Sequence, residues 1–372
     1  MSKPQVVIYG ASGYTGKLIA WHLAERGISF IAAGRNKKTL EKEMKLVPEL
    51  KKFNAEYECV ACNLDVKDLT ELFSGAQVVY NCVGPFMQLS DPVAQAALDA
   101  GCHYMDTTGE QDWMLHLEKK YGAKYKKKEL LLCPANAWMW TAGNIASEIA
   151  LETPGIDTLD VLYMADSNTS EASTASFLRM LCRDQLYLKN GKMEVWPHTE
   201  SYDVLMPGEH QTFKALPWSG AGEPTWYRKD KRIRNCSVLV AFRRPEVMQW
   251  VIGRIADWYE NHRDKSFDEL SEITNSWGEG MVNEEPPREE QDVNRSTLSV
   301  KGRGRTAGVS VVMRGNCPYI QAGVWAAESS RRILNGQLKA VGYQSPCAAF
   351  GHRELAAAAA ELDLLTWDVT QF

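Results

Sequence analysis

No stretch of this 372-residue chain approaches the run of about 18 apolar residues that a membrane-spanning helix needs, so no integral membrane segment is expected. The first residues lead straight into a β-branched strand run, so no secretory signal is read there. Neither sign of charge dominates: 42 Lys and Arg stand against 47 Asp and Glu, a net charge of −5. A general nucleic-acid binder carries a basic domain or stripe. The two short basic runs, 124–128 and 228–234, read as solvated faces, and no nucleic-acid partner is expected. The nine cysteines are scattered and odd in number, which fits free thiols in a reducing cytoplasm. Cys59 and Cys62 form one C-x-x-C, but no second pair or suitably spaced histidines accompany it, so no metal is expected.

Glycine, by contrast, is concentrated where a nucleotide fold uses it. Residues 5–35 read as strand, glycine turn, helix, strand. Residues 5–9 are mostly apolar and rich in β-branched side chains, as a strand buried on both faces should be. Gly10, Gly13 and Gly16 follow at spacing G-x-x-G-x-x-G. A helix is predicted over 15–26, with Leu18, Ile19, Ala20 and Leu23 on one side, and Gly27 stops it. Gly10 permits the tight turn, Gly13 admits a pyrophosphate with no Cβ in the way, and Gly16 lets the helix pack close. The phosphates then meet free N–H groups at a helix N-terminus. At the end of the second strand, 30–33, an NAD site usually places Asp or Glu. This chain has Gly34-Arg35-Asn36-Lys37-Lys38 instead. A guanidinium suits a 2′-phosphate by charge and by fork geometry, so NADP(H) is expected over NAD(H), read by Arg35 and Asn36.

The elements that follow alternate in the same way. Residues 39–53 are helical in pattern with Pro48 interrupting, and 57–63 form a third strand. Asp65 after it either faces the adenine or caps a helix over 68–73. A fourth strand, 78–83, runs into Gly84-Pro85-Phe86. Ligands of such sheets bind beyond the carboxyl ends of the strands. Asn81, Val83, Gly84 and Pro85 are therefore expected on the nicotinamide side of the cofactor, and Phe86 toward substrate. Asp91, as cap, and Pro92 open a helix that ends at Gly101. The fifth strand, 102–106, leads into a polar cluster of His103, Tyr104, Asp106, Thr107, Thr108 and Glu110; a helix over 111–127 and a strand over 129–133 complete six βα steps.

The expected fold class is α/β. A Rossmann domain takes residues 1–135 and about 340–372. A second α+β domain on a mostly antiparallel sheet takes 136–339, as substrate domain and candidate homodimer surface. Within the second domain a helix is expected over 143–151 and a strand over 159–164. A polar turn, 169–175, leads into a helix over 176–181. Loops and short strands fill 190–235, a helix takes 245–262, and 279–292 forms an exposed acidic loop. A hairpin of 296–301 and 307–313 joins through Gly302-Arg303-Gly304, a helix covers 322–335, and 345–365 returns to the first domain as a final helix.

The segments GASGYTG (10–16), VVYNCVGPF (78–86) and AALDAGCHYMDTTGE (96–110) resemble the saccharopine dehydrogenase-like oxidoreductases, a group that includes saccharopine reductases and trans-acting enoyl reductases. GYQSPCAAFGHREL (342–355) is similar to the closing segment of the enoyl reductase branch. The resemblance covers the first 135 and last 35 residues, and the middle only loosely. It implies NAD(P)(H) binding and carries cofactor roles to Gly10, Ser12, Gly13, Tyr14, Thr15, Gly16, Arg35, Asn81 and Gly84. One departure is visible: relatives often have a Gly-Phe-Asp-Ser type segment after the sixth strand, where this chain has Pro134-Ala135-Asn136-Ala137-Trp138-Met139-Trp140. Trp138 and Trp140 are candidate substrate contacts there, with core or interface packing as the alternative.

Hydride transfer asks for a group that meets developing negative charge and for exclusion of water. Tyr14, His103, Tyr104, Asp106 and Glu110 are the candidates, and no pattern singles one out. The Tyr-x-x-x-Lys pair of short-chain dehydrogenases is missing from the first domain, since Tyr121 is followed by Tyr125. The leading reading is an NADPH-dependent reductase of a hydrophobic conjugated carbonyl or enoyl small molecule. The alternatives are a saccharopine-type amino acid or imine dehydrogenase, with Arg179, Arg183, Arg243 or Arg244 meeting carboxylates, and a non-enzymatic NADP(H)-binding sensor or scaffold.

Overall fold

The computed structural model describes residues 4–167, 169–281 and 293–372, and the chain divides into two units. The first holds residues up to 108, then 112–141 and 319–361; the second holds 109–111, 142–318 and 362–372.

The first unit is built on strands β1 (Val6–Tyr9), β2 (Phe30–Gly34), β3 (Tyr57–Ala61), β4 (Val78–Asn81), β5 (His103–Asp106) and β6 (Leu131–Cys133), with a short strand Gly342–Tyr343 at one edge. From that edge the order is β6, β5, β4, β1, β2, β3, and every neighbouring pair is parallel. β1, β2 and β4 are buried along their whole length, which is why they read as continuous apolar runs and not as alternating ones. Val7, Tyr9, Ile31, Val79 and Leu132 share one core with Trp113, Tyr121 and Tyr125 of the helical stretch 111–127. That stretch is continuous but carries a π turn at Glu118–Gly122 between Gln111–Leu117 and Ala123–Lys127. The helix Asp91–Ala100 ends at Gly101 in the left-handed region, φ +76°. Its N-cap is Ser90 and not Asp91, whose carboxylate is instead held by Lys120 at 2.6 Å and His116 at 2.9 Å.

The second unit carries a nine-stranded, mostly antiparallel sheet. Its main path runs Tyr202–Val204, Phe213–Leu216, Asn235–Phe242, Ile156–Asp166, Arg295–Gly304, Gly308–Gly315, Leu365–Gln371; among the described residues only Asn235–Phe242 and Ile156–Asp166 pair in parallel. Leu186–Lys189 and Lys192–Val195 form a hairpin attached to Asn235–Phe242.

Four expectations change here. The helix expected from 176 starts at Glu171, because Ser170 caps it by accepting from the Ser173 N–H at 3.3 Å; the polar residues of the expected turn are its first turn. Gly302 and Gly304 lie inside the strand Arg295–Gly304, so the hairpin turns at 305–307. The tail does not return as one helix. Pro346–Phe350 and His352–Ala360 stay with the first unit, and Leu365–Gln371 pairs with Gly308–Gly315. The helix Pro318–Leu334, from Tyr319 on, belongs to the first unit, so that unit takes 319–361 and not 340–372. Most of the acidic loop expected at 279–292 lies outside the described residues. Among the described residues no helix is long and apolar enough to cross a membrane.

Candidate functional site

Strand order reverses between β1 and β4, the place where a doubly wound sheet binds its ligand. Two turns flank that point. After β1, the Gly10 and Ala11 N–H groups both donate to Ala33 O, at 2.9 and 3.1 Å, and the Gly13 N–H donates to Gly10 O at 3.1 Å. The turn is thereby pinned to β2, two residues before Arg35. Gly10 has φ +89°, and a Cβ on it would lie 2.9 Å from Val83 Cγ2, so the turns after β1 and β4 touch. A Cβ on Gly16 would lie 2.5 Å from Gly10 O: this glycine serves the approach of helix to turn.

Gly13 differs. It is exposed, and a Cβ on it would meet nothing closer than Gly10 O at 3.4 Å. Packing within the chain does not demand glycine there. An open approach to the N-terminus of Tyr14–Glu25 does, and that terminus has neither a side-chain cap nor an acid in its first turn. The residues present therefore fit a dinucleotide pyrophosphate. Ser12 and Thr15 are half-buried in the same turn, and Tyr14 is buried edge-to-face on Tyr319 with ring centroids 4.8 Å apart.

At the end of β2, Arg35, Lys37 and Lys38 are exposed, and among the described residues none has a carboxylate partner. Asn36 is engaged, capping Lys37–Lys45 by accepting from the Thr39 N–H at 3.1 Å. Asp65 is a cap as well: its Oδ1 accepts from the N–H groups of Lys67 and Asp68 at 2.9 and 3.2 Å. Asn81 faces inward. Its Oδ1 accepts from the Val83 N–H at 3.1 Å, and its Nδ2 donates to Ser90 Oγ at 2.8 Å and Tyr104 OH at 3.2 Å. Asn81 thus shapes the turn 82–85 from beneath and has no accessible surface. Phe86 is buried beside that turn, its ring 3.1 Å from where a Gly84 Cβ would stand. Pro85 precedes it as the N-cap of Phe86–Leu89.

The polar cluster after β5 does not act together. Asp106 has no accessible surface and accepts four hydrogen bonds: Tyr104 OH and Trp113 Nε1 at Oδ2, both 2.9 Å, and the Thr108 and Ala135 N–H groups at Oδ1, 3.1 and 2.9 Å. Burial pushes its pKa up to about 6, against the pull of these four donors. Tyr104 is equally enclosed. His103 begins β5 and so lies at the opposite end of the strand; its Nδ1 accepts from the Leu131 N–H at 2.9 Å, and burial lowers its pKa. Glu110 falls in the second unit, where it accepts from Ser176 Oγ at 2.6 Å and pairs with the fully buried Arg179. Trp138 is buried and Trp140 has no accessible surface.

Sequence reasoning missed Trp113, Ala135 and Ser90 as the partners that hold Asp106 and Asn81, since donors of this kind carry no spacing pattern. It also missed Glu223. This second-unit carboxyl is fully buried; its Oε1 accepts from Tyr163 OH at 2.6 Å, while Tyr163 OH accepts from the Gly143 N–H at 2.8 Å. Oε2 has no partner among the described residues, and burial pushes the pKa up to about 8.

Two family models match. Residues 6–126 match the saccharopine dehydrogenase NADP binding domain, and residues 141–370 match a family of unknown function, DUF5938. A lipid droplet localized protein of Caenorhabditis elegans is 32% identical over 144 residues, 37% of this chain and 34% of that protein. The saccharopine dehydrogenase-like oxidoreductase of Mus musculus is 28% identical over 135 residues, 33% of this chain and 32% of that protein. A trans-acting enoyl reductase of Mycobacterium bovis is 35% identical over 109 residues, 28% of this chain and 25% of that protein. The chain thus spans about a third or less of the length of these curated relatives. Apo saccharopine dehydrogenase (L-Glu forming) from Saccharomyces cerevisiae superposes with a TM-score of 0.62 over 99% of this chain and 100% of that one, at 13% identity, which is a likeness of fold. The chain belongs to the DUF5938 family and carries, ahead of the segment that defines it, a saccharopine dehydrogenase NADP binding domain.

Proposed function

We propose that the protein is an NADPH-dependent reductase that delivers hydride to a hydrophobic conjugated carbonyl or enoyl substrate. The observation that carries the cofactor half is the pairing of Gly13, open for no reason internal to the fold, with the exposed and uncompensated Arg35. Gly13 and the first turn of Tyr14–Glu25 would hold the pyrophosphate, and Arg35 the 2′-phosphate; bound NADPH supplies the hydride. Asp106 and Asn81 fix the backbone at the ends of β5 and β4, so they position the site without presenting an atom to it.

The substrate half rests on which cations are available. An amino acid substrate needs guanidinium or ammonium groups for its carboxylates. Arg179 is buried against Glu110, and Arg243 is paired with Asp166 at 3.2 Å and Glu209 at 2.7 Å. Two of the four arginines that could have read a carboxylate are thus neutralised within the chain. The likeness to a trans-acting enoyl reductase supports the same direction.

Titration of the protein with NADPH and with NADH, repeated on Arg35→Ala, tests the cofactor half. NADPH should bind more tightly, and the variant should lose that preference by about tenfold or more. Equal binding of both cofactors, unchanged in the variant, would reduce Arg35 to a surface charge. A panel of enones, enoyl thioesters and imino acids then tests the substrate half. Turnover confined to the imino acids would support the saccharopine-type reading, and tight NADPH binding with no turnover the sensor.

A further inference from the structure

The helical stretch 111–127 ends in a surface made almost wholly of lysine. Every exposed position from 119 to 128 is lysine except Ala123. Asp91 holds Lys120, and the Lys128 ammonium donates to Leu98 O at 2.7 Å. Lys119, Lys124, Lys126 and Lys127 have no carboxylate partner among the described residues. Surface helices ordinarily mix signs at spacings of three and four. Here Lys124 and Lys127, three apart in Ala123–Lys127, set like charges side by side, with Lys128 following as the C-cap, which opposes the helix. Cations in a last turn complement the helix dipole, but that does not explain Lys119 or the want of any acid between Glu118 and Glu129. Asp91 and the Tyr121 ring, 5.1 Å from Lys120 Nζ and 5.4 Å from Lys124 Nζ, offset part of the repulsion, and among the described residues no carboxylate offsets the rest.

The patch is not part of the dinucleotide site. Its helix precedes β6 and runs against the strands, so its carboxyl end lies at the amino edge of the sheet, where His103 begins β5. The glycine turn lies at the other edge. The chemistry of the patch narrows its partner. It contains no arginine fork, and its two aromatic rings, Tyr121 and Tyr125, are buried, so it offers no platform on which bases could stack. What remains is a set of hydrated point charges on one helix face, suited to the diffuse field of an anionic bilayer.

We propose that the lysine face 119–128 docks the protein on anionic phospholipid bilayers. The test is sedimentation of the full chain with phosphatidylcholine vesicles, with and without phosphatidylserine, at low and raised salt. Binding should require phosphatidylserine and fall with salt. Replacing Lys119, Lys124, Lys126 and Lys127 by Gln should weaken it by about tenfold or more, with circular dichroism unchanged. Should that variant misfold, Lys119→Gln with Lys124→Gln, and Lys126→Gln with Lys127→Gln, should each give a partial loss. No difference between the two vesicle types, undiminished binding by the variants, or displacement from vesicles by lower concentrations of duplex DNA would each overturn the proposal.

Discussion

Glu223 and Asp106 are both carboxyls without accessible surface, and they differ in what meets them. Asp106 receives four donors at full hydrogen-bond distance, whereas at Glu223 only Tyr163 OH, among the described residues, stands so, with weaker help from the Gly222 and Glu223 N–H groups. That difference sets their charge at neutral pH: Asp106, with a pKa of about 6, is mostly ionised, and Glu223, with a pKa of about 8, is mostly protonated. An unfolded glutamate titrates near 4.3, so between there and about 8 the folded state holds a proton that the unfolded state has released. Glu223 therefore favours folding fully below about pH 4.3, and that contribution is lost as pH rises through about 8. Glu223→Gln keeps an acceptor for Tyr163 OH and cannot ionise. Its stability should match the parent near pH 4, exceed it by an amount that grows with pH, and level off above about pH 8 at on the order of a few kcal/mol. Urea unfolding across that range measures it, and a gap that stays flat with pH would mean that Glu223 is charged in the folded protein. Neither role was legible in the sequence. Asp106 stood in a visible polar cluster, but Ala135 and Trp113, which turn it inward, are distant or featureless in the chain.

Elements were legible in proportion to how fully they are buried and how locally they are capped. β1, β2 and β4 are apolar along their length and bounded by glycine or asparagine, so their places follow from the residues alone. The helix Glu171–Leu181 hid its first turn because Ser170, Ser173 and Thr174 suit a turn as well as a cap. Gly302 and Gly304 suit a turn by sequence for a related reason: glycine marks close approach as readily as a bend. A Cβ on Gly304 would stand 1.9 Å from Gly155 O, and one on Gly302 would stand 2.7 Å from Val309 Cγ1. Gly253, within the helix Pro245–Asn261, meets nothing within 4 Å. Alanine at 304 should accordingly cost about 2 kcal/mol or more by forcing two backbones apart, whereas alanine at 253 should stabilise by about 0.5–1 kcal/mol through helix propensity. Equal effects in chemical denaturation would show that the approach at Gly304 relaxes freely.

At the scale of the whole molecule, the chain passes between its two units five times, after residues 108, 111, 141, 318 and 361. The first 135 residues carry the motifs of the nucleotide unit, but nothing in them shows that they are insufficient, because the elements that complete them carry no nucleotide motif. The edge of the parallel sheet beyond β6 is covered by Gly342–Tyr343. The helix Pro318–Leu334 brings Trp325, fully buried with its Nε1 donating to Leu355 O at 2.9 Å, and Gly323, which packs so closely that a Cβ would lie 3.0 Å from Leu18 O. Asn136, three residues after β6, donates its Nδ2–H to Ser329 Oγ of the same helix at 2.7 Å. A fragment of residues 1–141 would keep the core of Val7, Tyr9, Ile31, Val79 and Leu132 but leave β6 as an open edge and expose the helix Tyr14–Glu25 where Gly323 lies against it, losing burial that offsets part of the ordering entropy. It should unfold without cooperativity, bind a hydrophobic dye, and show no thermal stabilisation by NADPH. The full chain should gain about 2.7 kcal/mol at a hundredfold excess of NADPH over its Kd. A cooperative transition in the fragment that NADPH raises would show instead that residues 319–361 were added to a nucleotide fold already complete.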